Sequence, residues 1–129
     1  MTKTMFIKFV SDPDQDTMKA IVGLACAAQA VSDGHQVNVF FAAAGVRLLE
    51  ASYLARLDAE MGGEQAMVTS FMHKLMEGAQ LSCSFGSVKA VLGHAEGDGN
   101  LIMADADIAW SGPPGVVQLA VNSEVQLTY

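Results

Sequence analysis

Short β-favouring apolar runs alternate with helix-patterned stretches along the whole chain, and this rhythm constrains the fold more than anything else in the sequence. TMFIKFV predicts a strand over Thr4–Val10, and HQVNVFFAA a second over His35–Ala43. The unbroken apolar centre of the second run suits a strand with neighbours on both sides. AQLSC predicts a third strand ending at Cys83, DIAW a short fourth ending at Trp110, and VQLTY a closing fifth. Between them lie helical patterns. Asp12 reads as a cap, with Pro13 at the first helical position and Gln15 three residues on, opening a helix that ends near Asp33-Gly34. Val46–Glu60 reads as a helix or broken helix, and Glu64–Glu77 as a helix stopped by Gly78. Ser84 or Ser87 can cap a short helix to Leu92, HAEGDGN is a loop, and Pro113-Pro114 start a last helix to about Asn122. Strands alternating with helices predict an α/β fold: a three-layer α/β/α sandwich around a largely parallel five-stranded sheet.

With 129 residues, no repeat and no linker, residues 1–129 read as one domain. Half of the residues are hydrophobic and only 16% are charged, so the chain has little polar material with which to cover a small monomer. The first helix is apolar nearly all round (Met18, Ile21, Val22, Leu24, Ala25, Ala28, Val31), which predicts burial by the sheet on one side and by another copy on the other. A net charge of −7, with seven scattered Lys and Arg, argues against nucleic acid and against an anionic membrane. Ile21–Val31, the longest nearly uncharged run, is too short to span a bilayer. The opening residues lack the layout of a signal peptide, and two cysteines 57 positions apart make neither a metal motif nor a disulfide framework. A cytoplasmic protein with reduced thiols is the expectation.

Sites in parallel sheets gather beyond the carboxyl ends of the strands. Those ends carry Ser11 and Asp12, Ala42–Gly45, Cys83–Ser87 and Trp110–Gly112. Cys83 closes a strand just before a helix N-terminus, where the dipole favours thiolate. Ser84, Gly86 and Ser87 are candidate donors to an anionic sulfur species, and Trp110 a candidate pocket wall. No Lys, Arg or His lies within five residues of Cys83, so packing beneath the helix is the competing reading. Cys26 reads as core or interface packing. His35 opens a strand at the wrong end of the sheet, His73 reads as solvated, and His94 as remote from Cys83. The histidines have no metal-ligand spacing, and no dinucleotide or phosphate-loop motif occurs, so neither a metal nor a cofactor is expected. Asp12 and Asp14 resemble the acidic pair of a receiver domain, but Cys83 stands where such a domain needs an aspartate.

LACAAQAVSDGHQVNVFFAAAGVRLL resembles the first helix, second strand and glycine turn of the DsrE/DsrF-like family. EGAQLSCSFGSVKAVLG is similar to that family's third strand and following helix, and GPPGVVQLAVNSEVQLTY to its closing helix and strand. The resemblance implies an α/β/α sandwich assembling as a homotrimer or homohexamer. It also implies persulfide sulfur carried on the cysteine matching Cys83, passed between donor and acceptor proteins. Ala44 replaces the family's usual acidic turn residue, and GPPG departs from its glycine pair. Two functions follow: a sulfur carrier or transferase acting through Cys83, or a non-enzymatic oligomeric binding module in which Cys83 lines the pocket.

Overall fold

A computed structural model describes residues Met1–Tyr129. The order is β1 (Thr4–Phe9), α1 (Thr17–Ser32), β2 (Gln36–Phe41), a 3-10 segment (Ala43–Leu49), α2 (Ala51–Glu60) and α3 (Met67–Gly78). There follow β3 (Gln80–Ser84), α4 (Phe85–Ser87) with a π-helical turn (Val88–Leu92), β4 (Ala109–Ser111), α5 (Pro113–Val121) and β5 (Val125–Thr128). The strands form one sheet in the order β4-β3-β2-β1-β5, every pair parallel. The predicted α/β/α architecture holds, and β2, with its VFF centre, is the middle strand.

This order dictates where the helices go. The steps β1→β2→β3→β4 advance in one direction, and right-handed crossovers put their helices on one face. The β4→β5 connection returns to the opposite edge, so α5 lies on the other face. Register assigns the side chains: Ile7, Val39 and Leu81 align across the sheet, as do Phe9, Phe41 and Cys83, while Phe6 aligns with Asn38 and Phe40 with Ser82. The first two rows belong to one continuous core with Leu24 of α1, Leu54 and Leu57 of α2, Met72 and Leu75 of α3 and Val88 after β3. Each fully buried aliphatic or aromatic side chain there contributes about 1.5–3 kcal/mol. Phe9 and Phe41 stack with centroids 5.3 Å apart, and Phe9 also stacks on Tyr129 at 5.8 Å. At the rim a Cβ on Gly45 would fall 2.1 Å from the Phe9 carbonyl oxygen, so only glycine lets the turn after β2 close against the end of β1.

Two local expectations are corrected, and a third is settled as a broken helix. Asp12 does not cap α1. Its carboxylate accepts from Asp14 N–H at 2.9 Å and its carbonyl from Gln15 and Asp16 N–H, making a separate turn around Pro13. Asp16 is the cap, accepting from Lys19 N–H at 3.1 Å. The Val46–Glu60 pattern is broken at Glu50, which has extended backbone between the 3-10 segment and α2. Finally, α3 begins at Met67 and not Glu64, because its cap comes from elsewhere. The buried Asp58 carboxylate, on α2, accepts from Val68 N–H at 2.6 Å and also from the backbone and hydroxyl of Thr69. No helix is long and apolar enough to cross a membrane.

Candidate functional site

Cys83 is the penultimate residue of β3, and Ser84 after it caps α4 by accepting from Ser87 N–H at 3.1 Å. Its position along the strand is the expected one; its surroundings are not. The thiol lies between Phe41 and Trp110 in register, is 0% exposed, and belongs to the hydrophobic core. Burial pushes it up to about 12, and the negative charges of Glu96 and Asp105 push the same way. At pH 7 the thiolate fraction is then on the order of 10⁻⁵. The expected helix dipole is overruled by desolvation, since α4 is a single three-residue turn. Cys83 in the folded chain is a protonated core thiol.

The segment between the π-helical turn and β4 carries Glu96 and Asp105, whose charges act on the thiol. Met103 and Ile108 pack into the same core as the thiol. Leu49 carbonyl accepts from Ile102 N–H at 2.7 Å, Asp105 carbonyl accepts from Trp110 Nε1–H at 3.1 Å, and Asp105 Oδ2 accepts from Gly97 N–H at 2.6 Å. Trp110 is therefore half-buried and held by this segment, where a pocket wall had been a candidate role.

The open feature of the rim is on the other face. A cleft of about 270 Å³ lies at the carboxyl ends of β2 and β3, against the start of α5. Phe40, Ala42 and Ser84 line it from the sheet, and Gly112, Val116 and Val117 from the helix side. Cys83 does not line it, because its side chain alternates to the opposite face; that expectation is corrected as well. Ser84 alone links both features, through its place in β3 and its side chain on the cleft face. Phe85, 58% exposed, lies beside Gly112 at the same rim. Another hollow, of about 320 Å³, lies at Asp58–Met67, but its one buried carboxylate is occupied in capping α3.

The remaining candidates separate. Asp12 sits at the end of β1 with its carboxylate 3.6 Å from Arg47 Nε. Ser87 accepts from Ala43 N–H at 2.9 Å, tying the turn after β2 to α4, and Gly86 is exposed. Cys26, expected in the core or an interface, is exposed on α1, in line with exposed Met18 and Val22. His35 accepts from Lys3 N–H at 3.0 Å at the amino end of the sheet, His73 is exposed, and His94 lies 3.5 Å from Glu50. No group of His, Cys, Asp and Glu side chains could hold a metal. One cluster went unread in the sequence: Tyr53 donates to Asp14 at 2.6 Å, and Arg56 donates to the same carboxylate while lying over the Tyr53 ring. The Tyr53 hydroxyl bond, then Arg56, hold Asp14 below its usual range, while burial and Asp14 raise Tyr53. Its role is to tie the turn after β1 to α2.

No protein-family model and no curated protein matches the chain. Among solved structures, it is similar to the YchN protein from E. coli, at 10% identity over all of both chains with a TM-score of 0.68. That similarity, with the strand order and the helices on both sides of the sheet, gives this chain the DsrE/DsrF-like fold.

Proposed function

We propose that this chain is a binding module of DsrE/DsrF-like fold, self-associating in a reducing, cytoplasmic setting, that takes a small molecule into the cleft at the ends of β2 and β3. The observation that carries this reading is the cleft itself: a concave, mostly apolar space on the carboxyl rim, where parallel sheets place their ligands. Self-association is supported by the exposed apolar stripe Met18–Val22 on α1, which no other part of the chain covers. The test is calorimetric titration with 2-ethylnaphthalene. The native protein is expected to give saturable heat that Val117→Arg removes; heat in neither protein, or equal heat in both, would sink the reading.

A second reading, sulfur transfer through Cys83, is favoured by one observation: the cysteine stands at the end of β3, where the DsrE/DsrF resemblance puts the sulfur carrier. For the thiol to act, the core around it must open, and the sulfur must lose its proton in a site that opposes anions. Because Cys26 is exposed, the discriminating assay uses a Cys26→Ser background. Folded protein is treated with polysulfide, alkylated and weighed, with and without Cys83→Ser. A sulfur adduct that depends on Cys83 would put sulfur transfer ahead of simple binding.

A further inference from the structure

We infer that the ligand of the rim cleft is an uncharged, flat or chain-like apolar molecule bearing one hydrogen-bond acceptor, which the Ser84 hydroxyl receives. This rests on the binding reading above and deepens it.

Four observations converge. First, size: about 270 Å³ is just below the roughly 300–1,000 Å³ of drug-sized pockets, which fits a bicyclic aromatic or a medium-length acyl group and excludes a dinucleotide. Second, charge: no ionisable side chain lines the cleft. Lys8 shares this face, in register with Phe40, but stops short of the lining. An anion would enter an apolar space on a chain of net charge −7 without a counter-charge, at a heavy desolvation cost. A cation would find no carboxylate and no ring face among the sheet residues except buried Phe40.

Third, the single side-chain polar group is Ser84. Its oxygen accepts from Ser87 N–H at 3.1 Å, and it donates to nothing in the chain. A serine hydroxyl so placed retains its proton for an outside acceptor. Fourth, the approach is aromatic and uncrowded. Phe85 is largely exposed, and its ring stands beside Gly112 at the cleft mouth, 3.4 Å from where a Cβ would lie, an ordinary van der Waals contact. A flat ligand entering past Gly112 has that ring to pack against.

Three probes with one ring system test this: 2-acetylnaphthalene, 2-ethylnaphthalene and 2-naphthoate, titrated into native protein and into Ser84→Ala, Ser84→Thr and Val117→Arg. The ketone is expected to bind at least about tenfold more tightly than the carboxylate. Ser84→Ala should weaken the ketone about three- to tenfold and leave 2-ethylnaphthalene within about twofold, with Ser84→Thr restoring the ketone. Thermal melting of each variant monitors the loss of the α4 cap in Ser84→Ala. Carboxylate binding as tight as ketone binding overturns the uncharged class while leaving the cleft as a site. Equal loss of ketone and hydrocarbon in Ser84→Ala overturns the role of the hydroxyl. No binding of any probe overturns the binding reading itself. Binding that disappears as light scattering shows assembly gives the cleft to a second copy and overturns the ligand.

Discussion

The two faces of the sheet are built to different specifications. On one, α1, α2, α3 and the helix after β3 meet the sheet in a continuous core whose central side chains have no solvent contact. On the other, α5 alone lies over Phe6, Asn38 and Phe40, and none of its own residues is fully buried; Val117 and Val121 are 59% and 76% exposed. Topology causes the asymmetry, since three crossovers fall on one side and only the return connection on the other. The difference teaches where to look for activity. The crowded face supplies stability and has closed over the one cysteine at the rim, while the sparsely covered face keeps an opening.

The sharpest way to break this contrast is chemical. With iodoacetamide near pH 8, Cys26 is expected to be alkylated readily and Cys83 at least about a thousandfold more slowly, until denaturant exposes it. Comparable rates in protein with native circular dichroism would show that the crowded face is not sealed. Stability measurements come next. In urea, Leu54→Ala should lose about 2–5 kcal/mol, whereas Val121→Ala should stay within about 0.5 kcal/mol. A large cost at Val121 would mean that α5 is covered in solution. Asp58→Ala should lose about 1–3 kcal/mol by orphaning the first amides of α3, and Asp58→Asn less, since an acceptor oxygen remains.

The smallest effect belongs to the rim. Asp14 has its pKa lowered in the fold by the Tyr53 hydroxyl and Arg56, so its stabilisation is complete above its ordinary value of 3.8 and is lost as pH falls through the lower folded value. Asp14→Asn should therefore flatten the acid limb of a stability–pH curve slightly and leave neutral stability almost unchanged, because the group is exposed and screened. An acid limb identical in both proteins would remove Asp14 from the account.

Much of the architecture was legible because strand and helix periods differ. Five strands, their parallel arrangement and the central place of β2 all followed from that difference. The burial of Cys83 was also written in the chain, yet it stood only as the competing reading. In Gln80-Leu81-Ser82-Cys83-Ser84, the apolar residues alternate with polar ones, so Cys83 shares a face with Leu81. Attending to the end of the strand hid which side of it the thiol was on. Cys26 was harder, because an Ala-rich helix with apolar residues all round has no outer face that sequence can point to. Asp58 capping α3 and Asp14 joining Tyr53 were not legible, since both depend on how α2 is rotated against its neighbours. The cleft needed the fold too: Ser84 and Val117 lie far apart in the chain and meet only because α5 returns across the sheet.

The carboxylate of Asp58 has an effect beyond the helix it caps. By reaching across from α2, it fixes where α3 starts and takes that duty away from the connecting chain. The Gly62-Gly63 stretch is left with little to do except span a gap, and both glycines adopt positive φ, Gly62 in open surroundings. Extra residues spliced between them should lengthen the connection at small entropic cost without loosening either helix. That makes this bend the natural place to attach a reporter dye or an epitope when the cleft itself must stay untouched.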